Sequence, residues 1–367
     1  LLTALSTGCV KFYAAGLADF SQVGGGREGA PDHRQRVISG MMRAMKTMAQ
    51  RKWTAGEPLE LLDLPDPSPR PDEVRVRVAA IGVNPVDWKM RQRGPLRLAA
   101  RVIGPPLPFV PGVDFAGTID AVGARVTELK VGDRVVGGTD FSRGQRGSYA
   151  ELVTARPDQL CVLPDNVSFE IAGALPVAGV TAWMSLMEVG RLASRGANPS
   201  VLVLGAAGGV GQFAVQLAKM QGARVVGVCS ARNTELVRGL GADAVVDYTA
   251  GDALAQSKAH GPFDVILDCV GGYSGAGCRA LLKSGGRHVM VSGESPAAVA
   301  QIFIPPFTSR TILGRSTTSR LRAVVDAVSS GKVRVSIAAR FPLAEAEQAH
   351  TLSQSGRTTG KIVLLTQ

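Results

Sequence analysis

The segment Val201-Leu202-Val203-Leu204 runs straight into Gly205-Ala206-Ala207-Gly208-Gly209-Val210-Gly211, and the helical pattern behind it carries apolar residues at Phe213, Ala214, Leu217 and Ala218. A strand that ends in a glycine-rich turn and opens a helix is the start of a crossover connection, so it demands a parallel sheet with helices packed on it. The same turn implies chemistry. Gly208 and Gly209 present backbone without a Cβ to an incoming pyrophosphate, Gly211 lets helix and strand pack closely, and the helix N-terminus offers unpaired N–H groups to phosphate oxygens. Ala207, Gly208, Gly209 and Val210 are the expected dinucleotide contacts.

The next strand, Val225-Val226-Gly227-Val228, would in an NAD-binding chain end at an acidic residue that holds the ribose hydroxyls. Here it runs into Cys229-Ser230-Ala231-Arg232. No carboxylate repels a 2′-phosphate, Ser230 can donate a hydrogen bond and Arg232 can pair with the phosphate charge, so NADPH is expected over NADH. The other reading of Arg232 is an exposed cation at a helix start.

Beyond the turn, the chain alternates helical and strand patterns: Ile171 to Leu186, Arg224 to Cys229, Thr234 to Leu240, Val245-Val246, Val265 to Asp268 and His288 to Ser292. This is an α/β, doubly wound texture. Ahead of it, from about Arg51 to Pro164, short β-rich runs are separated by turn residues: Glu73 to Ala80, Asp114 to Val122, Arg134 to Val136 and Gly147 to Val153. A chain of 367 residues is long enough to bury two cores. The expected division is a leader over residues 1–47, a β-rich catalytic domain over 48–170, a nucleotide-binding domain over 171–311, and a C-terminal segment over 312–367. The leader has no sustained periodicity, and Met41, Met42, Met45 and Met48 each offer a start for the folded part.

Composition narrows the function. No apolar run is long enough to span a membrane. The five cysteines, Cys9, Cys161, Cys229, Cys269 and Cys278, contain no C-x-x-C pair, which argues for a reducing, cytoplasm-like compartment and against a thiolate zinc site. The formal charge of +11 is spread over single residues without an aromatic ladder, so nucleic acid is not the expected partner. One cluster is denser: Lys89, Arg91, Arg93, Arg97 and Arg101, beside Pro105-Pro106-Leu107-Pro108. It reads either as recognition of an anionic group or as a solvated loop face.

Taken together, these residues resemble the medium-chain dehydrogenase/reductase superfamily, in its zinc-free quinone oxidoreductase and enoyl reductase branch. The likeness rests on Ala206 to Gly211, Ile81-Gly82-Val83-Asn84-Pro85-Val86-Asp87-Trp88-Lys89, Pro111-Gly112-Val113-Asp114-Phe115-Ala116-Gly117, Val131-Gly132-Asp133-Arg134-Val135 and Gly360-Lys361-Ile362-Val363-Leu364. The segments Cys229-Ser230 and Glu235 to Asp243 are similar to the mitochondrial reticulon-interacting reductases. The resemblance implies a GroES-like β-rich domain, a Rossmann domain carrying NADPH, a C-terminal return to the first domain, and a homodimer. It implies that Asn84 and Thr181 lie near the nicotinamide and that Tyr248, Val270, Val291 and Ser292 also line the cofactor. Zinc-dependent members hold metal with a cysteine and a Gly-His-Glu motif, where this chain has Asn84 and Gly112-Val113-Asp114, so no zinc is expected. His33, His260, His288 and His350 stand apart in sequence and read as surface or packing residues.

The expected reaction is hydride transfer from NADPH to a quinone or to the activated C=C bond of an α,β-unsaturated carbonyl compound. Many relatives place a tyrosine where this chain has Trp88. The candidates left for charge and proton are Asn84, Lys89 and Tyr149, with Trp88 and Arg91 as substrate-pocket residues. Trp88 also fits an ordinary buried aromatic. Two other functions remain open: a 2-enoyl thioester reductase acting on coenzyme A or carrier-protein substrates through the basic cluster, and a non-catalytic NADPH-binding regulatory or RNA-associated protein.

Overall fold

The structure is a computed structural model that describes residues 43–92, 107–291, 308–312 and 314–366. Residues 1–42 of the leader, Arg93, Arg97, Arg101, Pro105, Pro106 and Ser292 therefore lie outside the described residues.

The first sheet is built from β3 (Val74–Val83), β4 (Asp114–Val122), β5 (Arg134–Gly138), β6 (Leu152–Ala155) and β7 (Leu160–Val162). Val74, Val76 and Val78 point into the core while Arg75 and Arg77 face outward, the period of two that a half-wet strand requires. Two strands ahead of it, β1 (Ala44–Ala49) and β2 (Glu60–Pro65), pair antiparallel. Folded structure thus reaches upstream of the expected boundary at 48, since Met45 and Met48 bury their side chains from the same strand. The expected strand from Gly147 to Val153 is shorter than its pattern suggests. Its first residues turn toward the loop before β4, with Gly147 and Tyr149 N–H groups bonded to the Val110 and Pro111 carbonyls, and only Leu152–Ala155 joins the sheet.

The expected single helix from Ile171 to Leu186 is divided. Helix α2 (Phe169–Gly173) stops, and α3 (Pro176–Trp183) restarts and continues as a π-helical turn over Met184–Val189. Proline lacks an N–H and is tolerated only in a first turn, so Pro176 must begin a helix.

The second sheet holds β8 (Ser200–Leu204), β9 (Arg224–Cys229), β10 (Ala244–Asp247), β11 (Phe263–Asp268), β12 (Leu282–Met290) and β13 (Ser309–Thr311). These six strands lie in the order β10-β9-β8-β11-β12-β13, and every described pair is parallel. Among the helices between them are α4 (Gly209–Met220), α5 (Thr234–Gly239), α6 (Ala253–Ser257) and α7 (Gly275–Ala280). The expectation of a Rossmann sheet and a β-rich first domain holds. Strand β8 is buried along its whole length, and each fully buried Val or Leu contributes about 1.5–3 kcal/mol.

After β13 the chain forms α8 (Thr318–Ser329), β14 (Ile337–Pro342), α9 (Ala346–Gln354) and β15 (Lys361–Leu365). Strand β15 pairs antiparallel with β3, so the last strand closes the first sheet.

Candidate active site

The order of the second sheet reverses at β8, whose neighbours β9 and β11 leave in opposite directions. A crevice opens at such a switch point, beyond the carboxyl ends of the strands. There Gly205 turns with φ +82°, and an added Cβ at Gly211 would stand 2.1 Å from the Gly205 carbonyl oxygen. Gly211 is therefore needed for the closed turn. Gly208 differs, because an added Cβ would meet only the Gly205 oxygen at 3.4 Å, leaving the cradle open on the side where a ligand would lie.

The structure brings the expected cofactor residues to this end of the sheet. Ser230 follows β9 directly, and Tyr248, which is 52% exposed, bonds its N–H to the Cys229 carbonyl at 3.1 Å. Arg232 is exposed and its guanidinium donates to the Arg357 carbonyl at 2.8 Å. A polar chain runs beside it, from Thr359 Oγ1 to Asn233 Oδ1 at 3.1 Å and from Asn233 Nδ2 to Ser230 Oγ at 3.3 Å. Val270 is exposed beyond β11, and Val291 follows β12 with its N–H on the Asp268 carbonyl. Asp268, which the sequence reading missed, is buried and accepts from the Val270 and Gly271 N–H groups, fixing the turn beyond β11. Thr181 is buried on α3, and an added Cβ at Gly314 would come within 2.8 Å of its hydroxyl.

Opposite this crevice, β3 ends at Val83 and Asn84 leads into α1 (Pro85–Lys89). Asp87 accepts the Asn84 N–H at 2.8 Å, a local cap of the helix start. The Asn84 side chain is fully engaged: Nδ2 donates to Asp114 at 2.9 Å and to the Gly82 carbonyl at 3.2 Å, while Oδ1 accepts from Lys361 at 2.5 Å. Asp114 spends its other oxygen on the Val177 N–H at 2.9 Å, in the first turn of α3. Gly82 makes room for that carboxylate, since a Cβ there would lie 2.8 Å from it.

Tyr149, a candidate for proton donation, and Arg91, expected in the substrate pocket, are instead buried together in a polar chain. Tyr149 is 0% exposed and its hydroxyl lies 2.9 Å from His350 Nε2 and 3.3 Å from Asp87. Gly112, at φ +101°, leaves space for that ring. Arg91 turns inward to Glu347, to His350 Nδ1 at 2.8 Å and to the Glu57 carbonyl at 3.0 Å. Arginine is always the donor, so His350 Nδ1 accepts and its Nε2–H points at Tyr149. Burial, reinforced by the Arg91 charge, pushes His350 down to about 3, so it stays neutral. Burial pushes Asp87 up to about 7 and Asp114 up to about 6, with the nearby Lys361 ammonium opposing both. His350, read as a packing residue, is a member of a polar chain. Its signal was weak, because its partners Tyr149 and Arg91 are 201 and 259 residues away.

Trp88 and Lys89 remain half-buried at the end of α1. The indole N–H donates to Ser353 at 3.1 Å, and the Lys89 ammonium lies 5.6 Å from the indole ring centre. A polar cavity of about 420 Å³ lined by Arg143, Asp158 and residues 315–319 holds none of the expected site residues. Among the described residues no group of three or more His, Cys, Asp or Glu side chains converges as metal ligands.

Residues 70–165 match the alcohol dehydrogenase GroES-like domain family, and residues 240–364 match the zinc-binding dehydrogenase family. A chloroplast envelope quinone oxidoreductase homolog of Arabidopsis thaliana is 34% identical over 331 residues, covering 88% of this chain and 98% of the relative. The chain belongs to the medium-chain dehydrogenase/reductase family, in the quinone oxidoreductase branch. Other members include the mitochondrial NAD(P)H oxidoreductase RTN4IP1 of Homo sapiens, 31% identical over 80% of this chain and 82% of that protein. The solved quinone oxidoreductase of Coxiella burnetii is 31% identical, covers 88% of this chain and 100% of its own, and superposes with a TM-score of 0.80.

Proposed function

We propose that this family member is a zinc-independent oxidoreductase that uses NADPH to reduce a quinone or the activated C=C bond of an α,β-unsaturated carbonyl compound. The observation that carries this reading is the open glycine cradle at the switch point of the parallel sheet, faced by the buried Asn84 cluster at the end of β3. When bound, the reduced nicotinamide supplies a hydride. Ala207, Gly208, Gly209 and Val210 would hold the pyrophosphate by backbone contacts. Ser230, Arg232 and Tyr248 would hold the adenosine end, where the missing carboxylate favours a 2′-phosphate. Thr181, Val270 and Val291 would border the nicotinamide with Asn84.

Zinc does not fit this cluster. Asn84, Asp114 and Asp87 surround a lysine ammonium, and a second cation beside it would be repelled. Lys89 would present positive charge to the substrate oxygen, with Trp88 as a flat apolar wall and water as the proton source. Arg91 is committed to Glu347, which removes a cation from the set that would grip an anionic thioester and favours small uncharged acceptors.

No described helix is long and apolar enough to cross a membrane. Cys161, Cys229, Cys269 and Cys278 are free thiols, which suits a reducing, cytoplasm-like compartment. Strand β13 ends the second sheet, and a homodimer would form through that edge.

The deciding experiment follows the near-ultraviolet absorbance of NADPH on the full chain with quinones, short enones and enoyl-CoA esters, with and without chelator. Turnover of quinones or enones that survives chelation is expected. Loss of turnover on chelation, or turnover of enoyl-CoA alone, would replace this reading. Cofactor choice has its own test: Ser230→Ala combined with Arg232→Ala should weaken NADPH by about tenfold or more and leave NADH nearly unchanged. Equal losses for both would remove the case for NADPH.

A further inference from the structure

Lys361 is the first residue of β15 and is 3% exposed. Burying an ammonium costs several kcal/mol unless charge and hydrogen bonds compensate, and an apolar residue of similar size is often as stable. The compensation here is specific. The Lys361 ammonium donates to the Val83 carbonyl at 3.1 Å and to Asn84 Oδ1 at 2.5 Å, and Asp114 lies 3.7 Å away. Its aliphatic stem runs under the dinucleotide turn, where an added Cβ at Gly209 would stand 3.2 Å from Lys361 Cδ. The preceding N–H, of Gly360, donates to the Ala207 carbonyl of the same turn at 3.0 Å. One residue therefore touches both the glycine cradle and the side chain of Asn84, and it sets which way the Asn84 amide points.

We propose that Lys361 and Asp114 are positioning residues, which fix Asn84 relative to the dinucleotide turn so that the nicotinamide end of the cofactor is held in one pose. The inference rests on the cofactor reading above and deepens it. Asp114 fixes the donor side of the amide and Lys361 the acceptor side, so a flipped amide would turn its NH₂ toward the ammonium and its oxygen toward the carboxylate. Their joint effect is on the nicotinamide end alone, because neither residue approaches Ser230, Arg232 or Tyr248 by any described hydrogen bond or ion pair.

The test uses the full chain with Lys361→Met and Asp114→Asn together, which removes both charges and strands neither. Calorimetric affinities for NADP⁺ and for 2′,5′-ADP, which lacks the nicotinamide half, are compared with wild type. The expected result is unchanged 2′,5′-ADP affinity, a loss of about fivefold or more in the extra affinity of NADP⁺ over 2′,5′-ADP, and a fall in kcat on the order of 100-fold. Retention of that extra affinity, with kcat near wild type, overturns the proposal. Should the double variant not unfold cooperatively, Lys361→Arg replaces it, keeping the charge while changing its shape. The same split between the two ligands is expected, and an unchanged NADP⁺ increment overturns the proposal. Failure of the wild-type chain to bind either ligand would instead sink the cofactor reading, and this inference with it.

Discussion

Asp87 shows how one residue serves local structure and long-range chemistry together. Its Oδ2 caps α1 and receives the Tyr149 hydroxyl, while Oδ1 is buried without a partner. Tyr149, Asp114 and Lys361 face it from the loop before β6, from β4 and from β15, with His350 of α9 behind Tyr149. Because its carboxyl is pushed up to about 7, chiefly by burial, the folded protein holds this proton better than the unfolded chain, whose value is near the ordinary one of about 4. The resulting stability is complete below pH ~4 and is lost as the pH rises through about 7, by up to about 1.4 kcal/mol per pH unit. Asp87→Asn should flatten urea-unfolding stability across that window. An unchanged slope would show that Asp87 titrates normally in the folded chain.

At the scale of elements, the glycine turn separates folding from binding. Gly211→Ala forces a Cβ against the Gly205 carbonyl, so a loss of stability of at least about 1–3 kcal/mol is expected, read as a lower melting temperature. Gly208→Ala has room in the free protein. It should melt near wild type and bind dinucleotide at least about tenfold more weakly, because its methyl group would occupy the space proposed for the pyrophosphate. Equal binding by Gly208→Ala and wild type would move the phosphate site away from this turn. Helix α3 is a second case. Pro176 starts it, but only the Asp114 carboxylate, from a strand of the other sheet, satisfies the N–H of Val177.

For the whole molecule, the C-terminal segment ties the parts together: β15 completes the first sheet while Gly360 and Lys361 touch the dinucleotide turn. Folding buries two histidines, His288 on β12 of the second sheet and His350 on α9. His288 is pushed down to about 4 and His350 to about 3, in both cases mainly by burial, against an ordinary value near 6.5. The folded state keeps them neutral, so their contribution is present above pH ~6.5 and is lost as the pH falls toward those values. This slope opposes that of Asp87. His288→Gln should therefore shift the midpoint of acid unfolding to lower pH, and a midpoint that does not move would mean that the acid transition is set elsewhere.

The family resemblance singled out Tyr248, Val270 and Val291, while the sequence patterns by themselves determined the α/β class, the glycine-rich turn and Ser230 at the end of a parallel strand. These follow from local patterns: alternation within a strand, a turn that only glycine permits, and the rule that parallel strands end on the same side. Asn84 was singled out through the family resemblance of its motif, whereas nothing in the sequence marked Lys361, the charged residue between Gly360 and the apolar run Ile362 to Leu365, as buried. Tertiary structure alone decided what Asn84, Tyr149 and Arg91 touch. Lys361 is 277 residues from Asn84, and His350 is 201 from Tyr149. Only the closing of the first sheet by the last strand brings such groups within hydrogen-bond distance, and no local periodicity records which distant partner will satisfy a buried polar atom.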